Sequence, residues 1–518
     1  MRREAVERVL ERADELMVEA MNEHTTPGVG VGIVDGSGTV YAKGFGLADV
    51  ERERPVTRET VFRIGSITKT MTAIGLMRLW ERGEFRLDDP INDYLRGYRI
   101  EHPDRAAPPV TFRHMLTHTS GIGELRKVTD LFRPIIGLGA KPDGPAPSTE
   151  EYYAGGLRPR VYPGTKWSYA NHAFNVLGQL IADISGEQFD EYMRENVFEV
   201  LGMENTDYLR SERVREGLAQ GYNFSRGRLK SVKYLEIVVR GAGSVLSSLE
   251  DMCRYVAALL GGGANEHGRV IEEETLSLMM EPHYRLDERL PAMGLAFLLD
   301  DRNGHLIAGH DGGWPGFISS MLLCPEEELG IVAFTNASSL AAQEASQDLI
   351  RHLLDVPEPA SRLPKKGILE FPHLWPELRG FYAPVGPLNT NSRARLMYAG
   401  ELEVLVENNH LALRALLGPF RKGVRLYPID PIDPLAFEAI HEDQTFRVVF
   451  ERDAGSGRVD HLLVGFDKLR KRPLVRSLRL KALAGLGASG AGAALATVAG
   501  ARRALKRPSG AGGDDEGV

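Results

Sequence analysis

Two sets of strand-forming residues sit at opposite ends of residues 1–355, so any sheet that uses both must close across a long insert. The first set is Gly28-Val29-Gly30-Val31-Gly32-Ile33-Val34, then Asp35-Gly36-Ser37-Gly38, then Thr39-Val40-Tyr41-Ala42. Extended runs on either side of an Asp-Gly turn predict a hairpin. The alternating glycines lack the G-x-G-x-x-G spacing, and a hairpin follows them, so they predict no nucleotide loop. The second set covers residues 293–299, 319–323 and 330–334, with a helix over 340–354 behind it. The insert reads as mostly helical to about residue 290. Its clearest helices cover 68–81, with Gly83 as C-cap, and 173–184, ending at Ser185-Gly186.

Residues 1–355 therefore predict one α/β domain, an antiparallel sheet flanked by helices plus a helical region. Residues 356–369, rich in proline and lysine, read as a linker. Over 370–472, Leu402, Val404 and Val406 alternate with polar residues. So do Phe446, Val448 and Phe450, and then Leu462, Val464 and Phe466. Short strands broken at Asn408-Asn409 and 454–457 predict a small antiparallel sheet or barrel. No catalytic constellation stands out within it. Residues 473–518 form a Gly/Ala-rich basic tail, expected to be flexible. The uncharged run 482–501 has the length of a membrane span, ~20 residues, but glycine and alanine supply little transfer energy. Weak membrane association through that run is the lesser alternative.

At the other end, Val6, Val9, Leu10, Ala13, Leu16, Met17 and Ala20 recur at helical steps among glutamates. That is an amphipathic helix rather than a signal peptide, which makes a cytoplasmic location the expectation. The two cysteines, Cys253 and Cys324, cannot build a disulfide framework and read as small buried hydrophobes. A net charge of -8 gives no global basic footprint, so no nucleic-acid partner is expected.

The chemistry begins at Phe62-Arg63-Ile64-Gly65-Ser66-Ile67-Thr68-Lys69, where an extended run turns helical. Residues three apart on a helix share a face, so Lys69 lies beside Ser66. A serine hydroxyl is a weak nucleophile and needs such a neighbour. The plain alternative is a serine N-cap followed by a solvated lysine. Farther on, Tyr169-Ala170-Asn171 offers a phenol and an amide. A phenol near an ammonium releases its proton more readily and can then accept one from serine, and the amide can orient a substrate carbonyl. A buried aromatic and a turn asparagine would explain the same residues. Gly309-His310-Asp311-Gly312-Gly313-Trp314 supplies glycines whose backbone N–H groups suit an oxyanion hole, or only a Gly-rich turn. Trp167 and Trp314 flank these motifs and suit cleft walls or core packing equally. His114 and His118 stand four apart, but no H-E-x-x-H accompanies them, so neither metal nor cofactor is expected.

Ser66-x-x-Lys69, Tyr169-x-Asn171 and His310-x-Gly312, in that order, resemble the serine β-lactamase and penicillin-binding-protein superfamily. The closer likeness is to its class C branch, with D-aminopeptidases and β-lactamase-like esterases. His114-Met115-Leu116-Thr117-His118-Thr119-Ser120-Gly121 and Gly241-Ala242-Gly243-Ser244 add to the likeness, which covers residues 20–350. The resemblance implies a β-lactamase/transpeptidase-like fold, and 370–472 resembles the lipocalin-like modules appended to some members. It implies Ser66 as acylated nucleophile, Lys69 as holder of the proton network and Tyr169 as general base. It implies Asn171, His310 and Gly312 at the substrate, and the N–H groups of Ser66 and Gly313 as the oxyanion hole. His310 stands where class C enzymes carry a lysine, which favours esterase or peptidase chemistry over β-lactam hydrolysis. The expected activity is a serine hydrolase acting on an ester or peptide-like amide. An acyltransferase, a true β-lactamase and a non-catalytic scaffold are the alternatives. Subunit assembly is not readable from the sequence.

Overall fold

The computed structural model describes residues 2–140, 146–356, 370–386, 390–391, 400–430, 432–441, 444–474 and 477. The two distant strand sets meet in one nine-stranded sheet. From edge to edge it runs Arg54–Pro55, Gly38–Asp49, Gly28–Asp35, Leu329–Thr335, Phe317–Cys324, His305–Trp314, Leu298–Arg302, Ala292–Met293 and Tyr284–Arg285. All neighbours are antiparallel. The splice lies at Gly28–Asp35 and Leu329–Thr335, where Val31 stands opposite Ala333.

The Gly-Val alternation has a packing cause. Side chains alternate across a strand, so Val29, Val31 and Ile33 share one face and Gly30 and Gly32 the other. The valine face is covered by the Arg2–Glu23 and Ala341–Leu353 helices through Ala13, Met17, Ala345 and Leu349. On the glycine face the Leu249–Leu260 helix closes in until a Cβ on Gly32 would lie 2.4 Å from Cys253 Sγ. This second face carries the larger core, with helices Thr68–Glu81 and Asn171–Ser185. Both cysteines are buried, as small apolar groups would be.

Two expectations needed correction. The run 293–299 is not one strand: it splits into Ala292–Met293 and Leu298–Arg302. Between them Gly294 N–H returns to Phe297 O at 2.8 Å, and Ala296 takes φ +72°. Leu295 and Ala296 N–H groups leave the ladder for Met279 O and Leu116 O, tying the sheet to the helical region. That region also contains a three-stranded sheet, Val61–Arg63, Leu246–Ser248 and Thr206–Asp207, and a hairpin, Tyr222–Ser225 with Arg228–Ser231. Strands this short show no period in sequence.

The C-terminal strands close a barrel of eight. Closure comes from Gly380–Pro384 pairing with Asp467–Arg472. Leu402, Val404, Leu413, Val448, Phe450, Leu462 and Leu469 fill it. The outward-facing pair Val449 and Leu463 packs on Leu290 of the larger sheet domain, which explains why the alternation is interrupted there. Phe466 leaves the alternation too: it sits in the turn before Asp467–Arg472 and stacks on Trp167, centroids 4.5 Å apart. Most of the expected linker, 357–369, and nearly all of the tail lie outside the described residues. Among the described residues no helix is long and apolar enough to cross a membrane.

Leu349 is fully buried between sheet and N-terminal helix. Leu349→Ala is expected to destabilise the chain by about 2–5 kcal/mol. Chemical unfolding at one pH measures it, and an unchanged midpoint would mean that this face is not packed as described.

Candidate active site

The Val61–Arg63 strand feeds a single 3-10 turn, Gly65–Ile67, and then the Thr68–Glu81 helix. Ser66 caps neither element, which removes the plain N-cap explanation for it. Gly65 has φ +51°, and a Cβ there would lie 2.6 Å from the Gly313 nitrogen. Glycine therefore lets the His305–Trp314 strand come up against the serine turn. Gly312 shows the same constraint, since its Cβ would lie 2.0 Å from Ile64 O. Ser319 Oγ donates to that carbonyl at 2.8 Å and locks strand to turn.

Three segments far apart in sequence converge on Lys69, which is fully buried. Its Nζ donates to Ser66 Oγ at 2.8 Å, Asn171 Oδ1 at 2.9 Å and Ala242 O at 2.7 Å. Tyr169 Oη lies in hydrogen-bond contact with Ser66 Oγ, also 2.8 Å away. The ammonium sits 4.9 Å from the centre of the Tyr169 ring and 5.7 Å from that of Phe174. Thus Ser66, Lys69, Tyr169 and Asn171 form one connected group, and Gly313 stands beside it.

His310 is buried near this group, its ring centroid 6.3 Å from that of Tyr169. Nδ1–H donates to Asp311 O at 2.6 Å, which leaves Nε2 as a buried acceptor with no partner among the described residues. Burial, then the Lys69 charge, pushes its pKa down to about 3. His118 closes the other side, 4.4 Å from the Tyr169 ring. Its Nδ1 accepts Ala170 N–H at 3.2 Å, and burial, then Lys69, then His310, holds its pKa well below the ordinary range. Both imidazoles are neutral. His118 is a site neighbour that its sequence phrase did not explain, because pairing it with His114 pointed only toward a metal. His114 instead accepts Thr111 N–H in a capping box. Among the described residues the one metal-capable trio is Glu23, His24 and Glu344, which contains neither of these histidines.

Ser66 opens onto a cavity of about 560 Å³. Ile135, Ile136, Leu138, Ile237, Val239 and Ile318 supply its apolar wall, and among the described residues no charged side chain lines it. Trp314 belongs to this wall, whereas Trp167 packs against the barrel through Phe466.

The sequence pattern of the Beta-lactamase family matches residues 13–355. The unguisins hydrolase ungD' of Aspergillus campestris (strain IBT 28561) is 27% identical over 66% of this chain and 64% of its own length. Esterase EstB of Burkholderia gladioli is 31% identical over 39% of this chain and 53% of its own. The chain thus spans less than two thirds of either curated relative. Among solved structures, the octameric penicillin-binding protein homologue from Pyrococcus abyssi is 25% identical, with a TM-score of 0.61. That likeness covers 89% of this chain and 100% of the homologue.

The neutral His310 makes stability depend on pH. The folded state holds it unprotonated to about pH 3, whereas the unfolded chain takes up the proton at its ordinary 6.5. This contribution is complete above pH 6.5 and falls as pH drops toward 3. At pH 5 the loss is on the order of 2 kcal/mol. His310→Gln should therefore lose about that much less unfolding free energy between pH 7.5 and 5 than the wild type. Equal pH dependence in denaturant titrations would contradict the buried neutral ring.

Proposed function

The chain belongs to the Beta-lactamase family, and from that premise we propose that it is a serine hydrolase that cleaves esters or peptide-like amides through an acyl-enzyme on Ser66. The observation that carries this reading is the pair of 2.8 Å contacts that Lys69 Nζ and Tyr169 Oη make to one Ser66 Oγ. A hydroxyl held by a cation on one side and a phenol on the other is prepared to lose its proton.

In this reading Tyr169, as phenolate, takes the Ser66 proton as Oγ bonds to the carbonyl carbon. Lys69 stays cationic and stabilises the phenolate. The oxyanion is received by the Ser66 and Gly313 N–H groups, a role that suits the closeness of Gly313 N to the serine turn. Tyr169 then protonates the leaving alcohol or amine as the ester or amide bond breaks. Water attacks the acyl carbon, Tyr169 accepts its proton, and Ser66 Oγ departs with a proton as the acid leaves. Lys69 occupies Asn171 Oδ1, so the Asn171 amide N–H groups serve the substrate carbonyl. Gly312 and His310 form the strand edge along which the substrate lies.

The substrate class follows from charge. Among the described residues the cavity wall is uncharged and His310 is neutral, so neither offers a cation to a substrate carboxylate. A β-lactam or a peptide C-terminus is therefore a poor fit, and an ester with an apolar acyl group a good one. Each buried methylene contributes about 0.8 kcal/mol.

A fluorophosphonate probe followed by intact-mass measurement tests the nucleophile. One adduct on the wild type, mapped to Ser66 and absent from Ser66→Ala, is expected; a folded, unlabelled wild type would refute the mechanism. A series of p-nitrophenyl esters tests the substrate class. From acetate to butanoate kcat/KM should rise roughly tenfold. A flat series, or faster opening of a chromogenic cephalosporin than of any ester, would reject the apolar acyl pocket.

A further inference from the structure

The residues just before the Asn171–Ser185 helix run as an extended segment, and its two edges are held by different parts of the chain. One edge faces the helical region. Ser168 N–H donates to His118 O at 2.7 Å, Ser168 Oγ donates to Ile122 O at 3.1 Å, and Ala170 N–H reaches His118 Nδ1. On the other edge Tyr284 Oη accepts Trp167 N–H at 3.3 Å, and further bonds come from Asn391, which lies between the barrel strands Gly380–Pro384 and Leu402–Glu407. Asn391 Oδ1 accepts Tyr169 N–H at 3.1 Å, and Nδ2 donates to Trp167 O at 3.1 Å.

A primary amide carries an acceptor and a donor side by side, as a neighbouring strand does. Asn391 thus replaces a missing strand at the residue that bears the phenol. Its own placement is fixed. It is 2% exposed, its φ of +50° is one that asparagine tolerates better than most residues, and its second N–H donates to Asp467 Oδ1 at 2.9 Å. Asp467 opens the last barrel strand and follows Phe466, whose ring stacks on Trp167. Lys166 Nζ adds a bond to Val385 O at 2.6 Å.

We infer that Asn391 is a positioning residue for Tyr169, so that the seated barrel sets the geometry of the serine–tyrosine contact. The inference rests on the reading of Ser66 and Tyr169 given above. Asn391 touches no reacting atom. It acts through the backbone of Tyr169, where a displacement of about 1 Å can cost on the order of a hundredfold in rate.

The test uses the full chain. Labelling rates with the fluorophosphonate and steady-state ester kinetics are compared for wild type, Asn391→Ala and Asn391→Asp. Circular dichroism and thermal melting establish that each is folded. Asn391→Ala should slow labelling and kcat roughly tenfold or more, with KM within about twofold, since substrate contacts are untouched. Asn391→Asp preserves the shape and an acceptor but loses both donors, and should be slowed likewise; it decides the matter if the alanine variant fails to fold. A folded variant with kcat and labelling within about twofold of wild type overturns the inference. A wild type that is not labelled at all refutes the proposed function instead, so the two failures are distinguishable.

Discussion

One buried positive charge organises the site. Lys69 is fully removed from solvent, and an ammonium in that position costs several kcal/mol unless its protons are met. Three acceptors meet them, the serine, the amide of Asn171 and the carbonyl of Ala242, each from a different stretch of chain. The same charge constrains its surroundings. After burial, Lys69 is the largest influence holding both His118 and His310 neutral. A second cation there would compete for the acceptors and oppose the first. Positive charge is thereby concentrated at Ser66 and Tyr169, where negative charge would develop in acyl transfer.

This arrangement explains what was legible in the sequence. Ser66 and Lys69 are read together because one helical turn joins them, and Tyr169 and Asn171 because they stand two apart in the chain. The Gly-Val alternation before residue 34 announced a strand, though not that its glycines make room for the Leu249–Leu260 helix. Other parts were invisible for physical reasons. Ala242 contributes a carbonyl, which every residue possesses, so its identity carries no signal. The split of 293–299 depends on carbonyls of Met279 and Leu116, which no local pattern can reveal. Asn391 sits 222 residues from its partner Tyr169, a separation no local pattern can bridge.

The barrel looks like an appendage in sequence because it brings no nucleophile, base or metal ligand. Its contacts give a different picture. Val449 and Leu463 bury an outer face against Leu290, and Arg289 donates to Asp433 across the same seam. Phe466 and Asn391 meet the extended segment that carries Tyr169. An apolar seam supplies most of the attraction between two such units but little direction. The amide of Asn391 supplies direction, since its bonds form only when the segment lies at one height and one angle. A segment pinned by His118 along one edge alone would be free to pivot about that edge. On the second edge Tyr284 Oη holds Trp167 N–H from within the larger unit, and Asn391 adds the bond at Tyr169 itself, so the barrel completes the hold that keeps the phenol over Ser66.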